Sequence, residues 1–196
     1  MTRTADISRK TNETDIRLTL SLDGAGDGTR TTGVGFFDHL LDAVARHGGL
    51  DLDVNVQGDL ETGPHHTVED AGIALGQAID QALGDRSGIT RFGHAVLPMD
   101  EARASAAIDI SGRPFLLFDA PGLPHTAIAD FDSDLAEEFF RAVAGNAKLT
   151  LHLRVETGTN AHHMVEAAFK AFARALRQAV AIDPNSTGIP STKGLL

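Results

Sequence analysis

The pattern His-His-x-Val-Glu occurs twice in this chain, as His65-His66-Thr67-Val68-Glu69 and as His162-His163-Met164-Val165-Glu166. The first histidines lie 162 − 65 = 97 residues apart, almost half of the 196 residues, and each copy opens onto an apolar stretch with helical spacing. A polar cluster repeated at half-chain distance reads as an internal duplication, so the fold of one half constrains the fold of the other.

The flanking patterns agree. Residues 14–22 alternate through Ile16, Leu18, Leu20 and Leu22, the period of a half-buried strand. The Gly/Asp run 23–28 then closes a turn, and Thr29 to Thr32 reads as the returning strand of a hairpin. Phe36, Phe37, Leu40, Leu41 and Val44 predict a helix over 36–46, with Asp38, His39 and Asp42 on its polar side. Leu50, Leu52, Val54 and Val56 alternate as a strand, and the first His-His heads a helix running to about Leu83. The second half replays this order: a strand at 105–110, its partner at 115–118, a helix over 134–144, a strand at 149–155, and a helix from the second His-His to Val180. Two β-β-α-β-α halves, residues 1–91 and 92–196, are expected to pack as one pseudo-symmetric α/β unit of the two-layer α+β kind. The alignment sets His39 over Glu138 (138 − 39 = 99) and Glu13 over Glu101 (101 − 13 = 88). The extra residues of the second half fall between Pro121 and Asp134, in a Pro/Gly/Asp-rich loop.

Composition removes several function classes. A net charge of −10 without a Lys/Arg cluster argues against nucleic acid as partner, and ten Phe with no Trp or Tyr supply no base-stacking platform. The first ten residues are polar and no run approaches about 20 apolar residues, so neither a signal peptide nor a membrane span is expected. The absence of Cys fits a reducing compartment, and a cytoplasmic enzyme is the expectation.

Adjacent histidines at a loop-to-helix junction can aim their imidazoles in different directions, and the Glu three and four residues on lies one helical turn away. Such nitrogen and carboxylate donors suit a divalent first-row metal, and with no thiolate available Zn, Mn, Fe or Ni are the candidates. Counting one donor from each shorter helix, His39, His65, His66, Glu69, Glu138, His162, His163 and Glu166 make eight ligands for two metals. His152 competes with Glu138 for the eighth place; His94 and His125 have no repeat partner, and His47 at a helix end suits the dipole as well as a metal. If the helix heads point apart, the pairs meet only across subunits, so an oligomer is expected. The residues alone also admit a dinuclear metallohydrolase or a metal-stapled shell protein.

Over essentially its whole length the chain resembles imidazoleglycerol-phosphate dehydratase. The resemblance rests on Arg9-Lys10-Thr11-Asn12-Glu13-Thr14, Gly35-Phe36-Phe37-Asp38-His39-Leu40-Leu41, the two His-His motifs, Arg91-Phe92-Gly93, Pro98-Met99-Asp100-Glu101, Ser111-Gly112-Arg113-Pro114 and Pro190-Ser191-Thr192-Lys193-Gly194. It implies a duplicated fold of the ribosomal protein S5 domain 2-like type, with four-stranded sheets backed by helices, and a 24-subunit homo-oligomeric shell with Mn²⁺ at subunit contacts, two per active site. It implies dehydration of imidazole glycerol phosphate to imidazole acetol phosphate in histidine biosynthesis. The family's ligands fall on His39, His65, His66, Glu69, His162, His163 and Glu166, while many members carry His where this chain has Glu138. Because the proton removed sits beside no carbonyl, a dimanganese-bound imidazolate is the expected electron source. Glu13 is the expected acid/base and substrate contact, Asp100 the residue positioning a hydroxyl, and Arg91, Arg113, Ser191 and Lys193 the phosphate binders.

Overall fold

A computed structural model describes residues 2–196. The first half contains β1 (Thr4–Lys10), β2 (Thr14–Ser21), β3 (Arg30–Thr31), α1 (Gly35–Gly48), β4 (Asp51–Gly58) and α2 (His65–Leu83). The second contains β5 (Phe92–Met99), β6 (Ala102–Asp109), β7 (Phe115–Asp119), the short pair β8 (Ala127–Ile128) and β9 (Phe131–Asp132), α3 (Leu135–Asn146), β10 (Thr150–Thr157) and α4 (Ala161–Val180). Two four-stranded sheets have the same spatial order, β1-β2-β4-β3 and β5-β6-β10-β7. The fold is therefore the mixed α/β architecture expected, with each sheet backed by helices.

Four strands extend the expected order, the edge strands β1 and β5 and the short β8–β9 pair within the loop expected between Pro121 and Asp134, and two pairings differ from it. β1 and β5 add an antiparallel edge strand before each expected first strand, in registers Ile7↔Leu18 and Ala95↔Ala106. The segment at 30–31 does not return against β2: it runs parallel to β4, with Arg30 opposite Val54. Asp51 and Asp53 explain the path, because their carboxylates accept from the backbone N–H groups of Ala25, Asp27 and Thr29 and draw the loop along β4. In the same way β7 pairs parallel with β10, not with β6.

The alternating residues of both sheets face the helices. Ile16, Leu18 and Leu20 on β2, Leu52 and Val54 on β4, and Leu151 and Leu153 on β10 are buried, and α2 lies on β1–β2 while α4 lies on β5–β6. The helices then pack across the halves, α1 on α4 and α2 on α3. Phe139 of α3 stacks on Phe169 of α4 with ring centroids 5.0 Å apart and Phe140 meets the same ring tilted at 4.6 Å, closing one continuous core. Each such buried aromatic or Leu side chain contributes about 1.5–3 kcal/mol through burial. This cross-packing is what carries donors from one half towards those of the other.

The inserted loop of the second half also serves the first. Val34, ahead of α1, offers no side-chain cap; Asp130 supplies one instead, accepting from the N–H groups of Gly35 and, at 3.0 Å, Phe36. The adjacent Phe131 is fully buried, stacked on Phe37 at 6.0 Å. The α1 head, with His39 one turn further on, is thereby fixed by the other half.

Candidate metal and substrate site

In both motifs the paired imidazoles stand nearly perpendicular, at 86° for His65/His66 and 84° for His162/His163, so each pair serves two directions. Packing of α1 on α4 brings His39 from the first half to His162 and Glu166 from the second. Glu166 Oε2 lies 3.1 Å from His39 Nε2 and 3.0 Å from His162 Nε2, and one donor atom from each of the three residues falls within 4.8 Å of the others. Glu166 is only 5% exposed. Burial alone would push its pKa up, but the hydrogen bond from Lys170 at 2.5 Å and the pairing with His39 outweigh it and hold the carboxyl at about 2. An ionised, buried carboxylate with two imidazoles at its mouth is a donor set that fits a divalent cation.

The remaining donors are presented singly or in pairs. His65 Nε2 stands 3.6 Å from Glu69, both about half exposed, on the uncapped head of α2. Among the described residues Glu138 on α3 does not join a cluster of three; it lies beside Arg141, at 4.0 Å, in a cleft with Leu123 and His125. That cleft adjoins another of about 580 Å³, lined by His65, and the two share His125 and Asp134. His152 sits on β10 facing away from the helices, against the ring of Phe115 at 5.9 Å.

The second imidazole of each pair has its own setting. His66 Nδ1 lies 3.0 Å from Asp59, and its Nε2 faces Glu13 at 3.7 Å. Glu13 is placed by a tight turn in which Thr11 Oγ1 accepts from the N–H groups of Glu13 and Thr14, while Asp59 N–H donates to the Glu13 carbonyl. Arg9, from the same motif, reaches Asp70 of α2 at 2.6 Å. In the second half, His163 Nδ1 lies 2.7 Å from Glu101 Oε2 and its Nε2 faces Asp100 at 3.7 Å. The Asp59 hydrogen bond raises the pKa of His66, and that of Glu101 raises the pKa of His163. Glu101 is held at about 2 by His163 and the N–H groups of Asn160 and Thr159.

The expected phosphate binders gather elsewhere. Arg91 forms a fork on Asp109 at 2.7 and 3.1 Å and donates to the carbonyl of Pro190, next to Ser191. The well-exposed Arg113 reaches the same Asp109 at 3.9 Å, and Lys193 N–H donates to Ser191 Oγ. Asp109 pairs with Phe92 at one end of the β5–β6 ladder, whereas Asp100 and Glu101 form the turn at the other. Seven rises (99 − 92) of about 3.3 Å put the two ends about 23 Å apart.

Four contributors were not expected from sequence: Asp59 and Glu101 as imidazole partners, Lys170 against Glu166, and Asp130 as helix cap. Lys170 alone had a local signal, its place four residues beyond Glu166 on one helix face.

Fold and site together define a duplicated α/β protein that presents imidazole and carboxylate donors at the heads of its helices. A family model described as imidazoleglycerol-phosphate dehydratase matches residues 32–176. The imidazoleglycerol-phosphate dehydratase of Symbiobacterium thermophilum is 59% identical over 194 residues, covering 99% of this chain and 93% of that protein. The crystal structure of imidazoleglycerol-phosphate dehydratase from Staphylococcus aureus superposes with a TM-score of 0.83 at 39% identity, covering 92% of this chain and 99% of that one. The crystal structure of IGPD from Pyrococcus furiosus in complex with (S)-C348 gives 0.84 at 37% identity, covering 97% and 100%. The chain belongs to the imidazoleglycerol-phosphate dehydratase family, hydro-lyases of histidine biosynthesis.

Proposed function

We propose that this protein dehydrates imidazole glycerol phosphate to imidazole acetol phosphate, with two Mn²⁺ per active site, in a cytoplasmic homo-oligomer of 24 subunits whose sites lie at subunit contacts. The observation that carries the shared site is the separation on β5–β6. Arg91 and Arg113 stand about 23 Å from the turn that faces His163, well beyond the reach of one small phosphorylated imidazole. A chain that uses both groups on one substrate uses them from different copies.

His39, His162 and Glu166 hold one set of donors, and His65, His66, Glu69 and His163, with Glu138 as the eighth, are presented outward for the other. Two Mn²⁺ bound there supply Lewis acidity to the substrate's imidazole ring. The reaction removes a hydroxyl from one carbon and a proton from its neighbour, and the resulting enol becomes the ketone. Glu13, half exposed and 3.7 Å from His66, is the carboxylate free to take and return that proton. Asp100, 78% exposed at the β5–β6 turn, orients a substrate hydroxyl. Arg91, Arg113, Lys193 and Ser191 hold the phosphate, the arginine forks matching its oxygens and the lysine adding a point charge.

Purified protein loaded with Mn²⁺ and given imidazole glycerol phosphate is expected to form a ketone with phosphate retained. Release of inorganic phosphate would make the protein a hydrolase and sink the assignment. Mixing Glu13→Gln and Lys193→Ala chains, unfolding and reassembling them together, tests the shared site. Recovered activity above either parent supports it, and none refutes it.

A further inference from the structure

Each His-His pair has a second imidazole whose Nδ1 is met by a carboxylate, yet the two carboxylates are not equivalents in the repeat. His66 uses Asp59, from the segment after β4, with Nδ1 at 3.0 and 3.2 Å from the two oxygens. His163 uses Glu101, from the β5–β6 turn, at 2.7 Å. Glu101 is the repeat partner of Glu13, but Glu13 lies on the opposite ring nitrogen of its histidine, Nε2, at 3.7 Å. The two halves thus share the outcome, a carboxylate bonded at Nδ1 and a second one, Glu13 or Asp100, 3.7 Å from Nε2, while differing in which residue provides the first.

We infer that Asp59 and Glu101 are the positioning residues of the site: each accepts the Nδ1–H of its histidine, fixes that tautomer and ring orientation, and leaves Nε2 unprotonated as the donor. The inference rests on the metal reading of the previous subsection for its purpose, though the geometry stands without it. An imidazole with Nδ1–H tied to a carboxylate has only Nε2 left to offer, and the bond makes that nitrogen more basic. Both carboxylates are themselves fixed. Asp59 is held through its backbone N–H to the Glu13 carbonyl and by Thr62 Oγ1 at 3.1 Å. Glu101 Oε1 accepts from the N–H groups of Thr159 and Asn160 at 3.1 and 2.8 Å, which leaves Oε2 aimed at His163. Asn160 in turn caps α4 by accepting from His162 N–H at 3.0 Å, so the carboxylate, the helix start and the imidazole form one unit. By this division Glu101 is committed to holding a ring, and Glu13 is the member of the repeat pair left free for proton transfer.

The test uses the full-length protein, labelled with ¹⁵N-histidine and stripped of metal, at a pH where the imidazoles are neutral. Long-range ¹⁵N–¹H spectra are expected to show His66 and His163 as Nδ1–H tautomers, with Asp59→Ala reverting His66 and Glu101→Ala reverting His163 to the Nε2–H form that free imidazole favours. Titration with Mn²⁺ alone is expected to show each variant binding roughly 10–100-fold more weakly than the parent. Nε2–H tautomers in the parent protein, which need no variant to be observed, overturn the inference, as does an unchanged tautomer in a folded variant. A parent protein with the expected tautomers that binds no Mn²⁺ refutes the metal reading while the positioning role stands.

Discussion

Gly72 and Gly76 of α2 face α3 one turn apart, and replacing either by Ala tests how the two halves are held together. A methyl at Gly76 would lie 2.7 Å from Asn146 Cβ, 2.8 Å from the Val143 carbonyl oxygen and 3.0 Å from Ala147 N; at Gly72 it would lie 2.9 Å from Ala142 Cβ and from the Phe139 carbonyl oxygen. Ordinary contact begins at 3.4 Å, so the shortfalls are 3.4 − 2.7 = 0.7 Å and 3.4 − 2.9 = 0.5 Å. The obstructing atoms are backbone or Cβ and cannot rotate aside, so α2 and α3 must move apart. Overpacking of this kind costs about 1–3 kcal/mol. Against it stands the helix-propensity gain of Ala over Gly, about 1 kcal/mol. Gly76→Ala should therefore destabilise by about 1 kcal/mol, and the Gly72→Ala/Gly76→Ala pair by about 2. Gly145 on α3 is the control, since a methyl there meets nothing within 4 Å. Gly145→Ala should stabilise by up to about 1 kcal/mol. Urea denaturation midpoints, compared at constant slope, distinguish the two. A Gly76→Ala protein as stable as Gly145→Ala would show that α2 and α3 do not rely on that close approach.

Glu166→Gln removes the one buried charge of the His39/His162 cluster and should weaken Mn²⁺ binding at least tenfold, about 1.4 kcal/mol, by isothermal titration. Lys193→Ala should raise KM for imidazole glycerol phosphate sharply with less effect on kcat, and an unchanged KM removes Lys193 from the phosphate site. In the metal-free protein, the raised pKa of His163 adds stability that is complete below pH 6.5 and is lost as pH rises through the folded value. Glu101, lowered from 4.5 to about 2, adds stability that is complete above pH 4.5 and lost as pH falls towards 2. This pair therefore contributes most between pH 4.5 and 6.5, and Glu101→Gln should flatten the melting temperature of chelator-treated protein across that window. Protons and metal compete for His66 and His163 Nε2, so Mn²⁺ affinity should fall as pH drops through their raised pKa values.

The helices and central strands were legible because their apolar residues recur at 3.6 or 2 positions and are buried, from Phe36 to Val44 on α1 and from Leu52 to Val56 on β4. The edge strands were not. On β1 only Ala5 is fully buried, and β5 carries Pro98, which an edge strand tolerates because β6 is its sole partner. The pairing of β3 with β4 is not legible in the sequence because two residues carry no periodicity and the loop's path is set by Asp51 and Asp53, more than twenty residues on. Of the site, the meeting of His39 with His162 and Glu166 followed from the repeat only once α1 lay on α4. Among the described residues Glu138 joins no cluster of three donors, and nothing local to α3 signals that. Asp59 and Glu101 act from loops, through contacts 7 and 62 residues apart in sequence, where pattern reading has no purchase.

The Asp130 cap makes the beginning of one helix depend on residues encoded far downstream. A fragment ending at Arg91 would leave the N–H groups of Gly35 and Phe36 unmet and Phe37 without the ring of Phe131. The two similar halves are thus tied together: an insertion confined to one of them is a structural obligation of its sibling.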